Sequence, residues 1–341
     1  MVGHLATAHG SPSATLVLPA KNLADESEDP EFLLSELAHI RDGLLRAGRG
    51  DITKIALIGP SSRPDHELDY RFVQMLPGPE PAFELRGSCG HSILAACSAA
   101  SRSGELPPLH SGQRIRVNVL NNGDSVECSV EATGNGQERL SASFLLRPPV
   151  PLGDLLLFGS PRTELPHRDA VVEVTAASMG NPYVFVRAAD FGVCGPEDLF
   201  ADDYALFSAL SEVRRTAQDA LGWPSGVFPK IAALLPLGPG SLAARAISVP
   251  SWHPTLALTG AVCLAAATCV PGTLPHQLAG AGNGGHLRVR TPGRWATVTT
   301  RTEGAVPALT EVGVRGTTVT YHGPARIIAP APSGNRARPQ Q

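Results

Sequence analysis

The chain has 341 residues, 43% of them hydrophobic and 17% charged, with a formal net charge of −3. That composition is globular and long enough for two domains of ordinary size, and its mild acidity argues against nucleic acid or an anionic membrane as the main partner. No apolar run is long enough to span a bilayer, and the first residues lack the basic-then-apolar pattern of a secretory leader, so neither a transmembrane helix nor a signal peptide is expected.

In chain order, residues 15–20 predict a first strand. Residues 29–47 carry Phe32, Leu33, Leu37, Ile40, Leu44 and Leu45 at helical spacing, and Gly48 and Gly50 end that helix. Lys54 opens a short apolar strand (KIALIG), followed by a turn-like stretch over 60–66 and a strand over 69–76. Next comes RGSCGHSILAACSAA (86–100), a glycine-bearing turn that runs straight into small apolar helix formers. A linker over 101–113 leads to alternating strands at 115–120, 125–132 and 140–146, and the Pro-rich stretch 148–166 predicts a domain boundary.

The second half repeats this plan. Strands are expected at 170–175 and 183–188, a helix at 202–220, strands at 230–237 and 243–249, and an Ala-rich helix at 256–268. Strands at 287–291, 296–301 and 312–321 complete it, with a frayed tail beyond 330. Gly90-His-Ser-Ile-Leu-Ala-Ala in the first half answers Gly260-Ala-Val-Cys-Leu-Ala-Ala in the second. The reading is an α+β chain of two pseudo-symmetric halves, 1–165 and 166–330, with 331–341 as a flexible tail.

A glycine turn opening a helix leaves several backbone N–H groups without intrahelical partners, and with the helix dipole they favour a carboxylate or phosphate. A thiol there, such as Cys89, has its thiolate stabilised by the same donors; the alternative is an inert cysteine at a buried helix start. The other five cysteines (Cys97, Cys128, Cys194, Cys263, Cys269) form no C-x-x-C pair, and no metal-ligand spacing is visible. A reduced, cytoplasmic setting fits that usage. Only Lys21, Lys54 and Lys230 are lysines among 28 basic residues. Unlike arginine, a desolvated lysine can give up its proton near neutral pH. Lys230, after Phe228-Pro229, and His253 read as structural.

Several of these segments together resemble the 2-methylaconitate cis-trans isomerase family. They are LIGPSSRPDHELDYRFVQM with RGSCGHS, MGNPYVFVRAADFG, FPKIAALLP and ISVPSWHPTLALTGAVCLAAATCVPGTLP, in family order from about Lys54 to Gly272. The resemblance implies a diaminopimelate epimerase-like fold: two facing halves, each a central helix wrapped by a curved, mainly antiparallel sheet, with the active site in the cleft. It also implies cofactor-independent proton transfer on an unsaturated di- or tricarboxylic acid, by allylic isomerisation or tautomerisation. Lys54 occupies the place of the family's candidate acid/base lysine, and Cys89 that of the cysteine in its G-N-C-G-N turn. Asn181 matches the asparagine–proline turn, and Thr259, Gly260 and Ala261 match the second helix start. The chain departs from the family at His9–Ala14, at Arg49–Thr53, and at His91, where Asn is usual. The paired cysteines of amino-acid epimerases are missing.

For such a reaction the expected catalytic pair is Lys54 as base and Cys89 as partner acid, their order left open. Gly90, His91, Ser92, Asn181, Thr259, Gly260 and Ala261 are expected to hold the carboxylate, with Ser62 and Arg63 on a distal one. A small-molecule carboxylate or natural-product substrate is the expected partner, with homodimerisation an open option. Two other readings stand beside it: a natural-product isomerase or cyclase on the same scaffold, and a non-catalytic carboxylate-binding accessory protein.

Overall fold

Two helices are built mainly of small and apolar residues and are buried along most of their length, and that dictates the architecture. A helix that is apolar all round must be enclosed by the rest of the chain. In the computed structural model, which describes residues 1–24, 29–280 and 285–327, they are enclosed by sheet. The expected tail at 331–341 lies outside the described residues.

The first half comprises β1 (Val2–Ala8), β2 (Thr15–Pro19), α1 (Pro30–Arg46), β3 (Lys54–Pro60), β4 (Leu68–Met75), β5 (Phe83–Glu84), α2 (Gly90–Ser103), β6 (Arg114–Val119), β7 (Ser125–Gly134) and β8 (Gln137–Pro151). The second comprises β9 (Thr163–His167), β10 (Ala170–Met179), β11 (Asn181–Arg187), α3 (Pro196–Phe200), α4 (Tyr204–Ala220), β12 (Lys230–Gly238) and β13 (Ser241–Ser248). It continues with β14 (Ser251–Trp252), α5 (Leu258–Thr268), α6 (Leu274–Ala279), β15 (His286–Thr291), β16 (Arg294–Glu303) and β17 (Ala308–Arg326).

Strand pairing in the first half closes on itself. The circuit β1–β2–β3–β4–β6–β7–β8–β17 returns from β17 to β1, antiparallel except for β2·β3 and β4·β6. The second half runs β10–β11–β12–β13–β15–β16–β17, with β11·β12 and β13·β15 parallel. The two circuits match strand for strand: β1 with β10, β2 with β11, β3 with β12, β4 with β13. The long β17 takes part in both. This is the diaminopimelate epimerase-like α+β fold the resemblance implied.

α2 and α5 fill the two barrels, and their side chains share one core with inward-facing strand residues such as Tyr70, Phe144, Phe185 and Val312. The amphipathic helices lie outside. α1 covers β2–β4 through Leu33, Leu37, Ile40 and Leu44, and α4 covers β10–β13 through Leu206, Leu210, Val213 and Ala217. Asp29 caps α1 by accepting from the Phe32 N–H, ahead of Pro30 at the first helical position.

Four strands were not expected: β1, β9 and the two-residue β5 and β14. β1 has only a weak alternation, VGHLATA, and exists because β2 and β17 pair with both its edges. β9 lies inside the Pro-rich stretch, where it adds to β10. Asn181-Pro182, expected as a loop turn, opens β11 directly. The turn itself is Gly180, whose φ of +73° suits a residue without Cβ.

Candidate active site

The close approach of α2 and α5 builds the site. A Cβ on Gly90 would lie 2.5 Å from a Leu258 methyl, and one on Gly260 would lie 2.5 Å from the Tyr183 hydroxyl. These glycines let the two helix starts meet neighbours of the opposite half and of the surrounding strand. A cleft of about 530 Å³ opens in front of them. Lys54, Cys89 and His91 line it from the first half, and Asn181, Lys230, His253 and Thr259 from the second.

Cys89 is the N-cap of α2, and its carbonyl accepts the first helical bond from the Ile93 N–H. Burial raises the thiol pKa, and that is the largest single influence. The Lys54 ammonium, the Ser92 hydroxyl and N–H, and Lys230 together outweigh it, leaving the thiol below its ordinary value. Lys54 opens β3, is buried, and donates from Nζ to Ser11 Oγ at 2.8 Å. Ser11 belongs to the segment, His9–Ala14, in which the chain departs from the pattern of the family it resembles.

His91 and His253 stack across the cleft floor, ring centroids 6.3 Å apart and planes 16° from parallel. Both imidazoles are held well below their ordinary pKa, first by burial and then by positive charge: Lys54, Arg294 and Lys230 on His91, and Lys54 and Lys230 on His253 beside its neighbour His91. Both rings are therefore neutral near pH 7. The Thr255 N–H donates to His253 Nδ1 at 3.1 Å, which puts the ring proton of His253 on Nε2. His91 Nδ1 and Ser88 Oγ are buried at the cleft without a hydrogen-bond partner among the described residues. Unpaired polar atoms of this kind are costly unless a bound molecule completes them.

The structure redistributes the expected residues. Lys54, Cys89, His91, Asn181 and Thr259 come together in the cleft. Gly90, Ser92, Gly260 and Ala261 lie behind it, buried, with Ser92 Oγ 2.9 Å from Thr15 Oγ1. α5 begins earlier relative to its glycine than α2 does. The Ala261 N–H is already committed to Ala257 O at 2.9 Å, so the open donors of the second helix are those of Leu258, Thr259 and Gly260. Asn181 is a staple: Nδ2 donates to Ser88 O at 3.0 Å and to Thr259 Oγ1 at 3.1 Å, and Oδ1 accepts from the Ser88 N–H at 3.3 Å. Both its N–H donors are used, which leaves none for a substrate.

Ser62 and Arg63 fall outside the cleft. Asp69, a neighbour in the adjoining strand, takes the Ser62 N–H and hydroxyl, each at 3.0 Å. Arg63 pairs with Asp65 and borders a separate, smaller hollow with Arg116, Asp124 and Arg147.

Lys230 and His253, expected to be structural, line the cleft. Lys230 could have been found from the internal repeat. It opens β12 as Lys54 opens β3, in stretches that share their first three residues (KIALI and KIAAL), and each sits in parallel register, with Thr15 of β2 or Tyr183 of β11. At the N-cap position equivalent to Cys89, the second half has Ala257. The cleft therefore carries one thiol and two lysines.

Among the described residues, no three His, Cys, Asp or Glu side chains are grouped to hold a metal ion, and no helix is long and apolar enough to cross a membrane.

Comparison with solved structures shows what this fold is similar to. The crystal structure of a methylitaconate-delta-isomerase superposes with a TM-score of 0.68 at 19% identity, covering 95% of each chain. That of a hydroxyproline epimerase from Agrobacterium vitis superposes with a TM-score of 0.61 at 14% identity, covering 95% of this chain and 90% of the other. Sequence relatives include YbhH of Escherichia coli K12, 24% identical over 305 residues (83% of this chain, 87% of that one). The 3-methylitaconate isomerase of Eubacterium barkeri is 25% identical over 290 residues (70% and 72%), and the 4-oxalomesaconate tautomerase of Pseudomonas putida 25% over 261 residues (70% of each). No family model matches the chain. In sequence the chain is similar to these isomerases, and in fold to the methylitaconate-delta-isomerase and the hydroxyproline epimerase.

Proposed function

We propose that the protein is a cofactor-independent isomerase that moves a double bond within an unsaturated carboxylic acid by proton transfer, with Cys89 and Lys54 at its centre. One observation carries this reading: the Cys89 thiol faces the cleft at an open helix N-terminus, with Lys54 holding it toward the thiolate. The positive charge of Lys54 and Lys230 and the Ser92 donors bias Cys89 toward the thiolate, so Cys89 is assigned as the first base. It takes a proton from the carbon next to the conjugated system, and the charge that moves onto the carboxylate meets Lys54 and the free N–H groups of α2 and α5. A proton returned at the far carbon completes the isomerisation. Substrate and product are isomers, so the step needs no oxidant or reductant.

His91 Nδ1 and Ser88 Oγ, the two orphaned polar atoms, are assigned to substrate oxygens. The cleft volume lies in the range that takes drug-sized ligands, which favours a substrate larger than a simple methylated diacid, such as a natural-product acid. All six cysteines are free, in keeping with a cytoplasmic setting.

The test is isomerisation and solvent exchange in deuterated water, with a panel comprising 3-methylitaconate, 2-methylaconitate, 4-oxalomesaconate and larger unsaturated acids. Wild type should exchange and isomerise at least one, and Cys89→Ala should lose both. Tight binding of a panel member with neither exchange nor isomerisation would favour an accessory, non-catalytic protein.

A further inference from the structure

Lys230 is a lysine of the cleft, its amine desolvated by burial, that takes no proton-transfer step in the mechanism above. It opens β12 at the position matching Lys54 at the head of β3, so the two amines approach the cleft from opposite halves. Their surroundings differ. Lys54 has a hydroxyl oxygen as acceptor, Ser11 Oγ at 2.8 Å. Lys230 makes no hydrogen bond or ion pair among the described residues; its Nζ lies 5.8 Å from the centroid of the Phe228 ring. That ring is wedged against Gly87, where a Cβ would come within 2.8 Å of it, so the wall around Lys230 is fixed to the turn that carries Cys89.

The titratable groups facing Lys230 are Cys89 and Lys54 from the first half, with the neutral rings of His91 and His253. Arg214 of α4 stands behind it, donating to the carbonyls of Gly226 and Pro229. A buried ammonium with no acceptor and a second lysine nearby surrenders its proton readily, and the face of the Phe228 ring offsets this only in part.

We propose that Lys230 is the second proton-transfer group of the cleft, returning the proton at the far carbon, while Lys54 acts as a fixed charge. This rests on the isomerase reading. The C–H proton passes to Cys89 Sγ, and its electron pair becomes the new double bond. The old π pair, delocalised onto the carboxylate, takes a proton from Lys230 Nζ at the other end of the system. Thiolate and ammonium become thiol and amine, and solvent restores both. Burial, slightly relieved by Cys89 and reinforced by Lys54, pushes the Lys230 pKa down to about 8, which suits an acid that must recycle near neutrality.

The test separates charge from proton by arginine replacement, using an acid of the panel that wild type turns over. Arginine keeps the cation but holds its proton. Lys230→Arg should lose about 100-fold or more in kcat with KM within about threefold, and should still exchange deuterium at the carbon attacked by Cys89 without isomerising. Lys54→Arg, which keeps the fixed charge, should lose less in kcat than Lys230→Arg. The reverse ranking, or equal loss of exchange and isomerisation in a folded Lys230→Arg, overturns the proposal. A substrate-free measurement stands apart from the isomerase reading. With only three lysines in the chain, amine labelling followed by mass spectrometry can titrate each. Half-maximal labelling of Lys230 near pH 8 supports the proposal, and titration together with exposed Lys21 refutes it. Wild type that neither exchanges nor isomerises any acid while Lys230 still titrates low would instead sink the proposed function.

Discussion

Replacing Asn181 by alanine removes the staple between the two halves. Three hydrogen bonds go at once: two donated by Nδ2, to Ser88 O and Thr259 Oγ1, and one accepted by Oδ1 from the Ser88 N–H. Ser88 is only 3% exposed, so its N–H and carbonyl lose their partners with little water in reach. Each buried backbone group left unpaired costs about 1–3 kcal/mol, so a loss of about 2–5 kcal/mol is expected, the lower end applying where a water enters the space left by the amide. Asn181→Asp should fall between, since a carboxylate still accepts from the Ser88 N–H but cannot donate to its carbonyl. Urea unfolding followed by fluorescence measures the loss. The rate of Cys89 alkylation by iodoacetamide, read by mass spectrometry in the folded variant, reports whether the turn has moved. A loss under about 0.5 kcal/mol with unchanged Cys89 reactivity would refute the view that Asn181 positions the catalytic turn.

Removing the Lys54 charge in Lys54→Met should raise the Cys89 pKa, so the alkylation profile of Cys89 moves to higher pH while exposed Cys194 keeps its own; coincident profiles in wild type and variant would contradict the role of Lys54. Lys230 costs the fold stability. Its pKa falls from 10.5 to about 8 chiefly through burial, so between those values the unfolded chain binds more protons than the folded one and wild-type stability rises with pH. Lys230→Met should therefore be more stable than wild type at pH 7, by at most about 3 kcal/mol, with the advantage gone above the ordinary lysine pKa; a pH-independent difference in denaturant titrations would count against it. Gly90→Ala meets the Leu258 Cβ at 2.9 Å as well as its methyl, and the backbone-near atom cannot swing away. It should lose about 1–3 kcal/mol by overpacking despite alanine's helix preference, and thermal melts will show it. Ser62→Ala and Arg63→Ala should leave KM for any turned-over acid unchanged, and a rise of about tenfold or more in either would return a distal carboxylate to that loop.

Much of this protein is written locally. α2 and α5 are visible as apolar, Ala-rich runs after glycine, and α1 and α4 as amphipathic spacings, because periodicity records which faces are buried whatever the partner. The duplicated order of elements follows from the same signal, whereas the wrapping of sheet around each central helix is implied only by the family resemblance. Cys89 and Lys54 stand out by residue type and position, one in a turn opening a helix and the other rare in an arginine-rich chain. What the cleft contains is a different matter. Asn181 and Ser88 lie 93 residues apart, and Asn181 and Thr259 78 apart, so whether the amide is free for a substrate depends on how two barrels dock. Ser62 and Arg63 looked suited to a carboxylate until strand pairing put Asp69 beside Ser62. Lys230 looked like an ordinary strand start until parallel register with β11 turned it toward Cys89. Residue identity supplies the chemistry that is possible at a position. Register and docking decide which groups meet, because a one-residue slip in a strand or a helix start displaced by two residues turns a side chain or an N–H from the cleft to the core.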